Sequence, residues 1–272
     1  MYPRSFEYVA PTSLDEALAA LADKPGATGM TGGMRLIPLM ELRRFAPPLG
    51  GVIGRVPGLD SIAENNGHIS IGALVRHAAT ASSDAIASGA SALAQAAALT
   101  GDVQVRNRGT TCGALAHADV AADQPAAALA LGATMVARSA GGEREIAADD
   151  FFVDALTSAL EPNEILVEVR VPKAGAGTGS SYDKLGRRGG RSDYAVAGAA
   201  AMVTMDGGAV SAARVALTGV GTKPSLAAAT AAALVGTDGS DEAVKAAAQH
   251  AAEGVTVLED LYGSVDYKTH LA

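Results

Sequence analysis

The chain has 272 residues, 49% of them hydrophobic, with a net charge of −8, one cysteine and no tryptophan. A single cysteine excludes an internal disulfide and a four-cysteine iron–sulfur site on this chain alone, and the acidic balance excludes a broad nucleic-acid surface. No run reaches the ~18 uninterrupted apolar residues of a membrane-spanning helix, and no basic segment followed by an apolar one opens the chain, so a soluble, cytoplasmic protein without a transmembrane segment is expected.

In chain order, Ser13-Leu14-Asp15-Glu16 has the form of a capping box, and Leu14, Ala17, Leu18 and Leu21 make one apolar stripe of a helix. A short strand over residues 27–30 runs into Gly29-Met30-Thr31-Gly32-Gly33-Met34-Arg35-Leu36 and an apolar, helix-like segment. That is the general form of a diphosphate cradle, in which backbone amides at a helix start meet negative charge. By itself the pattern is weak, because Gly-Gly most often marks a tight turn. Strands are predicted at residues 51–53 and 68–71, then one helix over 82–99.

The richest stretch follows: Gln104-Val105-Arg106-Asn107-Arg108-Gly109-Thr110-Thr111-Cys112-Gly113-Ala114-Leu115-Ala116-His117-Ala118-Asp119. Its glycines permit close approach of a ligand to the backbone, and its hydroxyls and successive N–H groups suit an anion. It reads as a ligand loop leading into a long Ala/Leu helix over 121–133. Asp123 opens that helix, where a carboxylate is favoured as a cap. Strands at 134–138 and 165–171 close this region, and the mixture of strands and helices indicates an α/β or α+β domain.

Ala174-Gly175-Ala176-Gly177-Thr178-Gly179-Ser180-Ser181 invites a dinucleotide-fold reading, but no helix follows, so it is taken as a linker or hairpin loop and as the domain boundary. Beyond it, residues 194–205 and 209–217 read as paired strands about Asp206-Gly207-Gly208. Helices are predicted at 225–234 and 241–253, the second stopped by Gly254. His68, His77, His250 and His270 show no metal-ligand spacing, and no metal site is expected. No Ser/His/Asp order or carboxylate pair stands out, so no catalytic residue is assigned.

Taken together, the two glycine segments resemble the FAD-binding medium subunit of the molybdenum hydroxylases, the family of carbon monoxide dehydrogenase and xanthine dehydrogenase. The similarity also covers Phe6-Glu7-Tyr8-Val9-Ala10-Pro11-Thr12-Ser13, Val56-Pro57-Gly58-Leu59-Asp60, Ile71-Gly72-Ala73-Leu74-Val75-Arg76-His77, Tyr182-Asp183-Lys184-Leu185-Gly186-Arg187-Arg188, Asp260-Leu261-Tyr262-Gly263-Ser264 and Tyr267-Lys268-Thr269-His270-Leu271-Ala272. It implies an α+β protein: a two-part FAD-binding domain of the vanillyl-alcohol-oxidase type over residues 1–174, then a small α+β domain of sheet plus helices over 175–272.

The resemblance also implies noncovalent FAD, with molybdenum cofactor and [2Fe-2S] clusters on a large and a small partner subunit, assembled as a dimer of heterotrimers. Electrons would pass from the clusters through FAD to an external acceptor. The cofactor-binding residues it implies are Gly29, Met30, Thr31, Gly32, Gly33, Met34, Arg35, Leu36, Thr110, Thr111, Cys112, Gly113, Ala114, His117, Asp123, Leu166 and Lys184. Tyr194 is the aromatic placed against the flavin ring, with packing at the domain interface as the other reading. His117 is expected to hold the loop rather than move protons.

Departures from the family pattern are Met34 and Arg35 where it has an amide or imidazole and then a serine, and Cys112-Gly113-Ala114 where it has Gly-Gly-Asn or Gly-Gly-Ser. Arg35 is expected either to pair with the FAD diphosphate, replacing the missing hydroxyl, or to point to solvent. A structural subunit with weakened or lost FAD binding is the alternative these changes leave open; a self-sufficient flavin oxidoreductase lacks any substrate motif. Arg187, Arg188 and Arg191 form a basic cluster expected at a subunit contact.

Overall fold

A computed structural model describes residues 2–188 and 193–272. Three short strands, β1 (Glu7–Val9), β2 (Thr28–Met30) and β3 (Leu49–Val52), form a parallel sheet in the order β1-β3-β2. Helix α1 (Leu14–Asp23) buries Ala17, Leu18 and Leu21 beside it, its first turn closed by Ser13, which accepts from the Glu16 N–H. Glu16 reaches back to the Thr12 N–H rather than to Ser13, so the capping box spans one residue more than the sequence pattern implies. After β2 comes α2 (Leu36–Glu41), a short apolar helix that buries only Met40.

A second, antiparallel sheet holds β4 (Ile62–Asn65), β5 (His68–Gly72), β6 (Thr134–Ser139), β7 (Gly142–Ala147) and, after the small hairpin β8 (Phe152–Asp154) and β9 (Thr157–Ser158), β10 (Ile165–Pro172), in the order β4-β5-β10-β6-β7. Between β5 and β6 lies a run of helices: α3 (His77–Ser82), α4 (Asp84–Gly89), α5 (Ser91–Leu99), α6 (Val103–Arg108), α7 (Thr111–His117) and α8 (Asp123–Ala130). The core of this half is made of Ile69, Ile71, Leu93, Leu115, Met135, Val136 and Phe151, all at 0% exposure.

Two expectations change here. The helix predicted over 82–99 is broken twice, because the Ser83 hydroxyl caps α4 by accepting from Ile86 N–H and Ala90 leaves the helical region at φ −156°. The stretch read as one ligand loop is mostly helix. Asp102 and Thr110 cap α6 and α7, accepting from the N–H groups of Val105 and Gly113, so Thr110, expected at the ligand, also starts a helix.

The C-terminal half is an antiparallel sheet of β11 (Thr178–Gly186), β12 (Ala195–Asp206), β13 (Ala209–Thr218) and β14 (Ser225–Leu226), in chain order, with α9 (Ala148–Phe151) earlier in the chain and α10 (Ala228–Leu234), α11 (Asp241–Ala248) and α12 (Val265–Leu271) following. The predicted β12–β13 pairing about Asp206-Gly207-Gly208 is present. The helix predicted at 225–234 begins as strand β14, and α11 ends at Ala248, short of Gly254.

All eight residues of α8 are buried, five of them alanines or leucine that let it lie close against β12 and β13. Its lead-in segment is stitched to that sheet by backbone bonds: Gly219 N–H to Val120 O at 2.7 Å and Ala195 N–H to Ala121 O at 3.2 Å. The Thr218 hydroxyl lies 2.9 Å from Val120 O and 2.8 Å from Ala122 O. Beside these bonds Lys184 Nζ meets Asp123 Oδ1 at 2.7 Å, with side-chain exposures of 0% and 5%. Tyr182 donates to the same oxygen at 2.6 Å. Burial raises the Asp123 carboxyl above its ordinary range, against the lowering by Lys184 and Tyr182.

Removing one member of such a pair strands a buried charge, at a cost of about 3–5 kcal/mol. Lys184→Met is therefore expected to lower the thermal midpoint sharply. The double variant Asp123→Asn/Lys184→Met is expected to recover much of the loss in a double-mutant cycle of denaturant unfolding. Equal destabilisation by single and double variants would show that the pair is not the interaction holding the halves together.

Candidate cofactor site

Between the two glycine segments lies a cavity of about 360 Å³, within the range of small-molecule sites. One wall is Gly29, Met30, Thr31, Gly32, Gly33, Met34, Arg35 and Leu36, the whole segment from β2 to the start of α2. The facing wall is Gly109, Thr110, Cys112, Gly113, Ala114, Ala116 and His117, the start and inner face of α7. An apolar end is made by Leu21, Ala27, Ile53, Leu160, Pro162, Ile165 and Leu166. Apolar lining with a few convergent polar groups suits a ligand with a ring system and a polar tail.

Glycine is what allows the two walls to meet. A Cβ on Gly32 would fall on the Arg108 carbonyl and close to Gly109 Cα. One on Gly113 would lie 2.7 Å from Thr110 Oγ1 and 2.9 Å from Thr31 Oγ1, filling the floor where those two hydroxyls sit 2.9 Å apart. Gly33, at φ +74°, turns the chain into α2. A cradle that a single methyl group would fill fits close approach of a nucleotide backbone.

The polar groups are pinned. Arg35 donates to Asp119 Oδ2 at 2.8 Å and to the Tyr194 hydroxyl at 2.5 Å, and stacks 4.6 Å from the Tyr194 ring centroid. Arg35 thus lines the cavity and is partnered, rather than pointing free to solvent. Glu164 accepts from Arg144 at 2.6 and 2.8 Å, and this pairing holds its carboxyl below the usual range. Burial and the Arg35 charge lower His117, keeping it neutral at the cavity wall. The Cys112 thiol is 1% exposed, donates to Ile71 O at 3.5 Å, and is pushed far up by burial. A thiol held protonated in this way is a poor nucleophile for a covalent flavin link.

His77 extends the site beneath Gly109. It lines the cavity at 4% exposure, and its Nδ1 lies 2.7 Å from Gln124 Nε2, which is also 3.2 Å from Thr100 Oγ1. Burial, then the charges of Arg35, Arg106 and Arg76, push it down from 6.5 to about 4.

Of the residues implied by the sequence, all eight from Gly29 to Leu36 line the cavity, as do Thr110, Cys112, Gly113, Ala114, His117 and Leu166. Thr111 is turned away, its hydroxyl 2.7 Å from that of Thr80. Asp123 and Lys184, expected at the nucleotide, are bonded to each other behind the wall and do not line it. Tyr194 also lies outside the lining and touches it through Arg35. Sequence reasoning missed His77, Ile53, Leu160, Pro162 and Glu164; Ile71-Gly72-Ala73-Leu74-Val75-Arg76-His77 was within the resemblance and was the signal for the first. Arg191 lies outside the described residues. Among those residues, no group of three or more His, Cys, Asp or Glu is placed to hold a metal, and no helix is long and apolar enough to cross a membrane.

An α+β chain with a ligand cavity walled by two glycine segments defines a nucleotide-cofactor-binding protein. Residues 4–174 match the family described as FAD binding domain in molybdopterin dehydrogenase, and residues 180–272 match the CO dehydrogenase flavoprotein C-terminal domain. The chain is 40% identical to the carbon monoxide dehydrogenase medium chain of Hydrogenophaga pseudoflava, covering 100% of this chain and 94% of that one. It is 39% identical to the 6-hydroxypseudooxynicotine dehydrogenase complex subunit alpha of Paenarthrobacter nicotinovorans, covering 100% and 92%. The structure of H. pseudoflava carbon monoxide dehydrogenase lacking the Mo-pyranopterin moiety superposes with a TM-score of 0.93 at 42% identity, covering 99% of this chain and 94% of that one. The chain belongs to the family of FAD-binding medium subunits of the molybdenum hydroxylases, and is an oxidoreductase subunit.

Gly32→Ala is expected to weaken FAD binding at least tenfold by titration and to lower the thermal midpoint, because the methyl drives the two walls apart. For acid stability the sign follows from His77. The folded state refuses a proton that the unfolded chain takes up below pH 6.5, so stability is lost as pH falls from 6.5 toward about 4. The loss is about 2 kcal/mol by about pH 5, and His77→Gln is expected to flatten that part of the stability–pH curve in denaturant titrations.

Proposed function

We propose that this chain is the electron-transfer subunit of a heteromeric molybdenum hydroxylase, taking electrons from iron–sulfur clusters on a small subunit and passing them through noncovalently held FAD to an external acceptor. Substrate would be hydroxylated at a molybdenum cofactor on a large subunit, with the whole assembled as a dimer of heterotrimers. The observation that carries the reading is the cavity walled by two glycine segments, about eighty residues apart in the chain, which approach so closely that a Cβ on Gly32 would fall on the Arg108 carbonyl.

Within that reading the domain division falls after residue 174. When bound, FAD supplies the redox chemistry, and the protein supplies binding, orientation and electrostatic tuning. The glycine walls bring backbone amides against the diphosphate. Arg35, already fixed by Asp119 and Tyr194, offers its remaining donors to phosphate oxygens. Leu160, Ile165 and Leu166 exclude water from the ring, and neutral His117 holds the α7 wall without adding charge. Asp123 and Lys184 act at one remove, keeping the C-terminal sheet against the helix that follows the wall.

Native purification with flavin, metal and subunit analysis tests the reading. A visible flavin spectrum, flavin released by acid precipitation, and copurifying iron–sulfur and molybdenum chains are expected. A colourless chain inside an intact complex would favour the structural-subunit alternative motivated by Met34, Cys112 and Ala114. Arg35→Ala is expected to weaken FAD binding, and more so as ionic strength falls, because screening of its charge is then least. Equal affinity of variant and wild type across salt concentrations would remove Arg35 from the binding set.

A further inference from the structure

One turn of the C-terminal half is held by several polar contacts although it adds nothing to the core of the described residues. Residues 260–263 make a tight turn in which Asp260 and Gly263 form an isolated antiparallel bridge and Asp260 Oδ1 accepts from Tyr262 N–H at 2.8 Å. Two cations buttress it. Lys268 on α12, 2% exposed, donates to Asp260 Oδ2 at 2.8 Å and to Gly219 O at 3.0 Å. The Arg187 guanidinium lies 4.2 Å from the Tyr262 ring centroid and 5.1 Å from that of Tyr194, and its Nε is buried without a hydrogen-bond partner.

Burying an ammonium and half-satisfying a guanidinium are costly, yet the turn contributes no core side chain. What it presents is Leu261 at 97% exposure, with Leu258, Tyr262, Val265 and Tyr267 each 40–44% exposed within ten residues. A large apolar side chain held open on a pinned turn, with two half-exposed tyrosines within six residues, has the composition of an interface anchor.

We propose that the Leu261 turn is the docking peg for the electron-donating iron–sulfur subunit, which receives it in an apolar socket with a basic rim. The identity of this partner rests on the function proposed above. The turn is joined to the cofactor cavity by an unbroken ladder, Tyr262 on Arg187, Arg187 on Tyr194, and Tyr194 on the cavity-lining Arg35. A subunit seated on the peg is therefore beside the cavity mouth, where a donor to the cofactor has to be. The exposed carboxylates of Glu259 and Asp266 flank the peg and set the sign of the partner's rim. A second copy of this chain is disfavoured, because an isologous contact would bring those acids together on a protein of net charge −8. Of the basic cluster expected at a subunit contact, Arg187 is stacked between two rings, and Arg188 bonds Asp193 at 2.7 Å while its side chain stays exposed.

The test uses the complex coexpressed from all three chains with the medium chain tagged, comparing Leu261→Glu with Val235→Glu, a control at 49% exposure elsewhere in the same half. Leu261→Glu is expected to cut the iron recovered per medium chain at least tenfold with the thermal midpoint unchanged, while Val235→Glu leaves recovery at the wild-type level. Wild-type recovery with Leu261→Glu overturns the peg. So does loss of the molybdenum chain alone, or loss of medium-chain self-association, by light scattering, with iron retained. The wild-type arm judges the underlying function separately: a wild-type complex without iron or flavin overturns that reading, and the named partner with it.

Discussion

The structure depends on one buried contact, the meeting of Lys184 with Asp123 under the hydroxyl of Tyr182. Asp123 opens the helix that follows the second cavity wall, and Lys184 lies in the first strand of the C-terminal sheet. A charge pair in so dry a place contributes less to net stability than to uniqueness, since other arrangements of the two halves would leave an ion unpaired. Gly198 is part of the same arrangement, because a Cβ there would lie 2.8 Å from the Tyr182 hydroxyl. The hydrogen bonds that the carbonyls of residues 120–122 accept from the ends of β12 and β13 then fix the distance between the halves.

From that joint outward, polar contacts run toward the cavity. Thr100 Oγ1 lies 3.5 Å from Asp123 Oδ2 and takes a hydrogen bond from Gln124, whose amide also reaches His77 beneath Gly109. The cavity is thus backed by hydrogen-bonded groups that lead to a buried ion pair, while Arg35 and Glu164 bring charge to its lining.

Much of this was legible in the sequence, for identifiable reasons. The Gly32-Gly33 turn and the β12–β13 hairpin depend on local backbone chemistry, which residue type reports directly. The helices of residues 103–117 were not legible as helices, because Thr110 serves as a cap while also resembling a ligand group, and Asp102 caps α6 from just before the glycine-rich stretch. The break at Ser83 is a local hydroxyl cap, whereas the one at Ala90 follows a turn packed closely on β5, where a Cβ on Gly89 would lie 2.9 Å from Ile69 Cδ1. Tertiary contacts of that kind leave no periodic trace. Asp123 and Lys184 illustrate the limit most plainly: each stands out in the sequence, but no local pattern says that two residues 61 positions apart face each other.

The contact of Thr31 with Thr110 has a kinetic consequence. The bonds that close the cavity join residues 79, 84 and 159 positions apart: Thr31 to Thr110, Arg35 to Asp119 and Arg35 to Tyr194. Loop-closure entropy opposes each until the intervening sheets have formed. The pocket is then a late product of folding: its walls need the chain as far as Leu166, and the Arg35–Tyr194 bond forms only after β11 has been added.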